Sequence, residues 1–280
     1  MNNQENVASS KTVFGHPVGL FILFFTEMWE RFSYYGMRAL LVLYLVSEIT
    51  SDNPGLGWTD KDAGTLYGNY TMFVYITPIL GGIIADKILG FRKAIMIGAV
   101  LMSLGHFALA FEPVPAFYLG LGLLIIGNGF FKPNISSMVG QLYPGGSPKK
   151  DSGYTIFYQG INVGAFLGSI LCGYLGETMG WHYGFGLAGI FMVIGMIQFK
   201  LSAKMFGKIG LSPKESANFV NEEMPMESEV LDVPTSEIEQ DEVLEDSITP
   251  GVDKGKVERQ RLIVVGVLAF FSIFFWAAFE

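Results

Sequence analysis

The stretch Glu27-Met28-Trp29-Glu30-Arg31-Phe32-Ser33-Tyr34-Tyr35-Gly36-Met37-Arg38 lies inside an apolar run from about residue 17 to residue 49. The run is long enough to cross a bilayer, yet it holds four charged side chains in its middle. At about 100° per residue, six polar side chains share one helix face within an arc of roughly 140°: Glu27, Glu30, Arg31, Tyr34, Tyr35 and Arg38. Because a charge at bilayer depth is costly unless it is paired or hydrated, this face is predicted to line a bundle interior or a water-filled pathway.

The composition of the whole chain is that of a membrane protein. Half of the 280 residues are hydrophobic, 14% are aromatic, and the mean hydropathy is +0.40, which excludes an ordinary soluble domain. The net charge of −8 comes from one segment, since residues 215–253 hold 13 acids and no Lys or Arg, and the rest of the chain is net positive. The single cysteine, Cys172, excludes a disulfide within the chain and is interpreted as a small packing residue.

Six apolar runs predict six transmembrane helices, at about 17–49, 62–86, 92–111, 116–142, 151–178 and 182–206. We therefore expect a polar N-terminal tail (1–16), a six-helix bundle (17–206), an acidic linker (207–260) and the start of a seventh transmembrane helix (261–280). The linker composition predicts a solvated, disordered tether, with a regulatory contact as the alternative. The seventh run stops in mid-span at Glu280, so the chain is expected to be part of a longer protein.

The distribution of basic residues predicts the orientation in the membrane. Of the 18 Lys and Arg residues, 14 lie in the N-terminal tail and in the connections after helices 2, 4 and 6, whereas the alternate connections hold only Lys61. Because basic residues concentrate on the cytoplasmic side, the N-terminus and the acidic linker are predicted to be cytoplasmic. The protein is accordingly expected to be a multi-pass protein of the cell membrane.

The connection between helices 2 and 3 carries a second notable motif, Gly81-Gly82-Ile83-Ile84-Ala85-Asp86-Lys87-Ile88-Leu89-Gly90-Phe91-Arg92-Lys93. It resembles the cytoplasmic signature of the major facilitator superfamily, in which glycines precede an aspartate and paired basic residues. The alternative is ordinary positive-inside flanking charge. On the resemblance, Gly82, Asp86 and Arg92 are expected to serve conformational change rather than substrate binding.

Two further helices carry polar groups at membrane depth. Lys132 is a lone cation near the middle of helix 4, where it could bind an anionic substrate group or form a structural ion pair. On helix 5, Tyr154, Tyr158 and Asn162 are spaced four residues apart and share a face. That face could bind a polar ligand or form interhelical hydrogen bonds. A similar stripe on helix 2 consists of Tyr67, Thr71 and Tyr75.

The buried charges suggest a basis for proton coupling. Glu27 and Arg31 are four residues apart and can neutralise each other, so Glu30 is expected to need a partner from another helix, a ligand or a proton. Competition between a substrate, an arginine and a proton for one carboxyl group would link transport to protonation.

Four motifs together resemble the proton-dependent oligopeptide transporters, a family of the major facilitator superfamily. They are Glu27-x-x-Glu30-Arg31-Phe32-x-Tyr34-Tyr35-Gly36, Phe131-Lys132-Pro133-Asn134, Phe157-Tyr158-x-x-Ile161-Asn162-x-Gly164 and Phe275-Trp276-Ala277-Ala278-Phe279-Glu280. The resemblance implies an all-α membrane fold of two six-helix bundles, of which this chain holds the N-terminal bundle and the start of helix 7. It also implies import of di- and tripeptides by proton symport through alternating access.

The resemblance further implies a role for each matching residue. Glu27, Glu30 and Arg31 would couple protons, and Arg38 and Glu280 would form an extracellular gate. The peptide would be bound by Tyr35, Arg38, Tyr75, Lys132, Tyr158, Asn162 and Trp276. The family's partners would be the peptide, protons, the lipid bilayer and the C-terminal six-helix bundle, with no nucleic acid, no cofactor, no metal and no enzymatic activity.

Three departures from the family pattern and two alternatives accompany this interpretation. Gly68 stands where mammalian members have a histidine, and Ala165 stands where the family usually has a small polar residue. Many bacterial members of the family have two extra helices between the bundles, but residues 207–259 contain no apolar runs of that kind, so these helices are predicted to be absent here. The alternatives are a carrier of the same fold for another small solute, such as nitrate, and a non-transporting membrane scaffold built on half a carrier.

Overall fold

The computed structural model describes residues 12–111, 113–143 and 147–217. Within these residues it contains six long helices, each ending within four residues of the predicted bounds. They are α1 (Val18–Val46), α2 (Asp60–Ile84), α3 (Phe91–Leu109), α4 (Val114–Gln141), α5 (Lys150–Met179) and α6 (Trp181–Ser202). The predicted all-α membrane fold class is therefore confirmed, while residues 261–280 and most of the acidic linker lie outside the described residues.

Local sequence explains several helix boundaries. At the start of α2, the Thr59 hydroxyl accepts a hydrogen bond from the Asp62 backbone N–H (3.2 Å), as an N-cap residue does. Gly90 and Gly180 adopt positive φ angles of 77° and 127° and separate α2 from α3 and α5 from α6. Because only glycine adopts these angles without strain, both residues end one helix sharply and allow the next to begin.

The helices differ in how well they suit a membrane. In the described residues, five helices are long and apolar enough to span a bilayer, and α1 is the long helix that fails this test. α1 contains Glu27, Glu30, Arg31 and Arg38, which raise its charge above that of a simple membrane span. It must therefore bury its charges against its neighbours.

A short β-hairpin precedes α1. Strands β1 (Thr12–Val13) and β2 (His16–Pro17) pair in antiparallel fashion around Phe14 and Gly15, which both have positive φ. The hairpin contacts the chain between α4 and α5: His16 Nδ1 lies 2.7 Å from the Tyr143 hydroxyl, and Lys149 Nζ donates to the Gly15 carbonyl (3.0 Å). The predicted polar tail thus begins to pack before the first membrane helix.

A stripe of small residues on α5 lets this helix approach α1 closely. On α5, every fourth residue that faces α1 is small: Gly160, Gly164, Gly168, Cys172 and Gly176. A Cβ atom on Gly164 would lie 2.2 Å from the Met28 carbonyl oxygen, and one on Gly168 would lie 2.2 Å from that of Phe32. The backbones of α1 and α5 are therefore in direct contact, a common arrangement where helices pack inside a membrane.

The other helices complete the bundle. α1 also packs against α6, while α4 packs against α2 and α3, and α3 packs against α6. Between α2 and α4, a Cβ atom on Gly81 would lie 2.0 Å from the Gly129 carbonyl oxygen, so glycine is required at this crossing. Helices α2 and α5 leave large apolar side chains exposed, among them Ile79, Leu80 and Phe166.

We call the end of the bundle at which α1 begins the basic end, because it carries Lys87, Arg92, Lys93, Lys149, Lys150 and Lys204. Helix α6 continues there into a 3₁₀ turn, Ala203–Phe206. The chain then stays on the bundle, since Ser212 is only 4% exposed, although this region was predicted to be the start of a solvated linker. Contact with the bundle extends at least to residue 215, where Glu215 Oε1 lies 2.7 Å from Lys93 Nζ.

Candidate functional site

Glu27, Glu30 and Arg31 form a buried ion-pair cluster on α1, which we call the charge triad. Arg31 Nε lies 3.0 Å from Glu27 Oε1 and also contacts Glu30 Oε2. All three side chains are at most 4% exposed, and the guanidinium carbon lies 5.2 Å from the centre of the Tyr34 ring. The contact of Arg31 with Glu30 was not predicted from the sequence, which paired Arg31 with Glu27 alone.

The charge triad retains unused hydrogen-bonding capacity. In the described part of the chain, Glu27 Oε2, Glu30 Oε1 and Arg31 Nη2 are buried without a hydrogen-bond partner. Two carboxylates and one guanidinium carry a net charge of −1 if all three are ionised. A buried excess negative charge is costly, so a proton or a nearby cation would stabilise the cluster.

Helix α5 packs directly against the turn of α1 that carries the charge triad. A Cβ atom on Gly164 would lie 3.0 Å from the Arg31 Cβ as well as 2.2 Å from the Met28 carbonyl oxygen. Only glycine therefore allows α5 to approach the turn of α1 that carries the cluster. The spacing of glycines at every fourth residue on α5 was available in the sequence, but its role in positioning the triad was not predicted.

The cations Arg38 and Lys132 each lie against a tyrosine ring of α2. Arg38 donates to the Tyr67 hydroxyl, and its guanidinium carbon lies 5.1 Å from the centre of the same ring. Lys132 Nζ lies 5.0 Å from the centre of the Tyr75 ring. Both contacts have the geometry of a cation–π interaction. Lys132 is also within electrostatic range of Glu27 and Glu30, which links it to the charge triad.

The remaining polar residues predicted for ligand binding are more exposed. Tyr75 is 50% exposed and Tyr158 56% exposed, Asn162 is also exposed, and Tyr35 is half-buried beside the core. Tyr154 behaves differently from the other two members of its predicted face, because its hydroxyl donates to the Ser136 carbonyl (3.2 Å). This part of the face makes an interhelical hydrogen bond.

The three residues of the predicted conformational signature, Gly82, Asp86 and Arg92, have different surroundings in the structure. The close approach between α2 and α4 is made by Gly81, whereas a Cβ atom on Gly82 would make only an ordinary contact with Pro133 (3.8 Å). Asp86 is exposed in a π-helical turn, Ala85–Leu89. The Arg92 side chain donates hydrogen bonds to the backbone carbonyl groups of Gly207 and Ile209. Trp276 and Glu280 lie outside the described residues.

Several polar residues near the site were not singled out from the sequence. Gln198 on α6 accepts from Trp29 Nε1 (3.1 Å) and donates to the Ile22 carbonyl (3.1 Å), which fixes α6 against α1. Tyr70 and Asn128 are buried, and their side-chain polar atoms have no hydrogen-bond partner among the described residues. A polar residue inside a mostly apolar helix is the signal that could have identified them.

Two surface depressions, of about 590 and 400 Å³, lie away from the charge triad, and neither is lined by a predicted site residue. The described residues contain no group of His, Cys, Asp and Glu that could hold a metal ion.

The fold and site so far define a polytopic helical membrane protein with a charged, partly open polar face. Comparison with known proteins identifies the family. The family model described as POT family matches residues 92–280. The chain therefore belongs to the POT family of membrane transporters.

Curated relatives agree with this assignment. The chain is 46% identical over 207 residues to the transporter YclF of Bacillus subtilis (strain 168), covering 73% of this chain and 42% of that protein. It is 42% identical over 207 residues to the di-/tripeptide transporter of Lactococcus lactis subsp. lactis (strain IL1403), with the same coverage. The chain thus spans less than half the length of these relatives.

Solved structures share the fold. A crystal structure of peptide transporter POT in complex with sulfate has a TM-score of 0.70 and 41% sequence identity, covering 79% of this chain and 46% of that one. A POT family transporter in complex with 5-aminolevulinic acid has a TM-score of 0.71 and 38% identity, covering 77% and 46%.

Proposed function

We propose that this chain forms the N-terminal half of a proton-coupled symporter that imports di- and tripeptides by alternating access. The observation that carries the proposal is the charge triad, in which two buried carboxylates share one arginine at the middle of a membrane helix. A structural ion pair would need only one carboxylate for each arginine. The relatives named as di-/tripeptide transporters supply the substrate class.

Proton coupling would reside in Glu27, Glu30 and Arg31. Because Arg31 can fully compensate only one negative charge, protonation of one carboxylic acid would relieve the excess charge in the buried cluster. Lys132 provides the link to substrate, since it lies within electrostatic range of both carboxylates. A peptide carboxylate drawn to Lys132 would weaken that interaction and favour protonation of the triad.

Peptide binding would use the more open polar face beside the triad. Arg38 and Lys132 would hold the peptide carboxylate, because both are cations at membrane depth that rest against aromatic rings. The pocket would be completed by Tyr35, Tyr75, Tyr158, Asn162 and Trp276. Arg38 would also pair with Glu280 to close the extracellular gate.

The other features of the whole carrier follow the same proposal. The C-terminal six-helix bundle would complete the cavity and provide the surface against which this half rocks. The basic end would be cytoplasmic, as the distribution of Lys and Arg residues predicts, and the protein would lie in the cell membrane. Transport would be driven by the proton gradient alone, with no cofactor and no enzymatic step.

Peptide-driven proton movement into liposomes tests this proposal. The full-length carrier is reconstituted with a pH-sensitive dye inside, and dialanine is added outside. We expect acidification of the lumen with dialanine and none with nitrate. A lack of acidification with dialanine would contradict peptide–proton symport, and competition of labelled dialanine uptake by nitrate would support the carrier for a small anion.

A further inference from the structure

The chain that follows α6 does not leave the bundle directly. Residues 207–216, which we call the linker anchor, pack onto the start of α3 and the end of α4. Ser212 is 4% exposed, and a Cβ atom on Gly90 would lie 2.4 Å from the Ser212 backbone nitrogen. The linker anchor therefore sits against the backbone of the loop that leads into α3, and glycine is required there both for space and for its φ of 77°.

Arg92 holds the first half of the linker anchor. Its Nε donates to the Ile209 carbonyl (2.6 Å), its guanidinium also donates to the Gly207 carbonyl, and its backbone N–H donates to the Gly210 carbonyl (3.0 Å). The Gly210 N–H in turn donates to Gln141 Oε1 (3.0 Å) at the end of α4. The planar, multidonor guanidinium suits this arrangement, which an ammonium group could not reproduce.

Lys93 and Glu215 hold the second half. Ser212 caps a helical turn over residues 213–217, and its N–H and hydroxyl both donate to Glu215 Oε2 (3.1 and 2.7 Å). The other carboxylate oxygen of Glu215 lies 2.7 Å from Lys93 Nζ. The Glu215 N–H donates to the Ser212 hydroxyl oxygen in return (3.3 Å), which gives the reciprocal pattern of a capping box, with an ion pair to α3 added.

Shortening of the tether does not explain these contacts. Releasing the linker anchor would lengthen the segment before residue 261 from 44 residues (217–260) to 54 (207–260). For a flexible chain, that change lowers the effective concentration of the two halves by only about 1.4-fold. The specific contacts of two adjacent cations with one segment point instead to a mechanical role.

We infer that the linker anchor makes the basic ends of α3, α4 and α6 move as one unit during transport. Arg92 and Lys93 lie in the first turn of α3, next to the loop between α2 and α3, and within the stretch that resembles the superfamily signature. Through the linker anchor, a displacement of that loop is transmitted to the end of α6 and to the linker. Arg92, Gln141, Ser212 and Glu215 are therefore positioning residues, and the transport consequence rests on the proposed function.

Hydrogen–deuterium exchange on the full-length carrier in lipid nanodiscs, paired with dialanine uptake, tests the inference. In the wild type we expect backbone amides of residues 207–216 to be protected. Arg92→Lys keeps the charge but loses the second carbonyl contact, so exchange in this segment should rise about tenfold. Uptake should fall by about threefold because the coupled movement is weakened. Glu215→Gln, whose side chain is 40% exposed, should raise exchange in residues 212–216 alone.

Lys214→Gln is the matched control, because Lys214 is an exposed cation of the same segment with no ion pair in the described part of the chain. It should leave both readouts unchanged. Unprotected amides in the wild type would overturn the inference, and so would faster exchange in Arg92→Lys without a loss of uptake. Failure of the wild type to transport dialanine would count against the proposed substrate, while the exchange result would still decide whether the linker anchor exists.

Discussion

The charge triad and the Lys93–Glu215 pair use the same kinds of side chain in opposite surroundings. The side chains of the triad are at most 4% exposed, whereas those of Lys93 and Glu215 are 56% and 40% exposed. The triad places two carboxylates on one guanidinium, while Glu215 has a cation, a hydroxyl and a backbone N–H around it. One cluster is under-compensated and buried, and the other is fully compensated and partly exposed.

This difference in burial suits the charge triad to a functional role and the Lys93–Glu215 pair to a supporting one. Water and salt screen an exposed ion pair, so such pairs contribute only about 0–1 kcal/mol to stability. Removing one partner of a buried pair leaves a charge without compensation and costs about 3–5 kcal/mol. Only the buried cluster can therefore respond strongly to a single proton or to a bound carboxylate.

Arg31→Met should produce the largest effect. It leaves Glu27 and Glu30 buried side by side without their cation, so the full-length carrier should lose about 3–5 kcal/mol of stability. Thermal unfolding in detergent measures this loss. Arg31→Lys keeps a charge in place and should retain more of the stability. Unchanged unfolding in Arg31→Met would mean that the triad is hydrated, contrary to its burial.

Gly164→Ala should give an intermediate effect. The added methyl group would meet the Met28 carbonyl oxygen at 2.2 Å, so α1 and α5 must separate, at a cost of about 1–3 kcal/mol. Gly173→Ala on the same helix is the control, because nothing lies within 4 Å of its Cβ position. That substitution should be neutral or slightly stabilising. Equal unfolding temperatures for the two variants would show that the α1–α5 contact is looser than described.

The Lys93–Glu215 pair should have the smallest effect on global stability. Lys93→Gln and Glu215→Gln should each cost no more than about 1 kcal/mol, and less at high salt. Hydrogen bonds from Lys93 and Ser212 lower the pKa of Glu215 to about 2. A lowered pKa stabilises the fold above the unfolded value of about 4.3, and this contribution is lost as the pH falls towards 2. Unfolding of wild type and Glu215→Gln should thus differ equally at pH 6 and pH 8, and converge only under strong acid.

The sequence was sufficient to predict the six described helices, because apolar runs of membrane length and glycine or proline boundaries are local features. It also brought Glu27, Glu30 and Arg31 together, since helical periodicity places residues three and four apart on one face. The partner of Glu30 was missed because adjacent residues on a helix do not face each other in an ideal geometry. The Arg31 side chain is long enough to contact the neighbouring Glu30 carboxylate nevertheless.

The linker anchor shows what the sequence could not provide. Residues 207–217 were assigned to the solvated tether because they belong to a long polar stretch that contains no apolar run near spanning length. The segment packs because Arg92 donates to its backbone carbonyls. Such bonds do not depend on the side chains of the segment that accepts them, so they leave no trace in its residue pattern.

The most direct measurement is made on Glu30→Gln in liposomes that contain the full-length carrier. We predict that this variant will not accumulate labelled dialanine when the external pH is lowered, because one proton-accepting carboxylate of the triad is gone. It should still exchange labelled for unlabelled dialanine across the membrane at close to the wild-type rate, because Arg38 and Lys132 remain. An equal loss of gradient-driven accumulation and of exchange would contradict a proton-coupling role and leave the charge triad as a structural element.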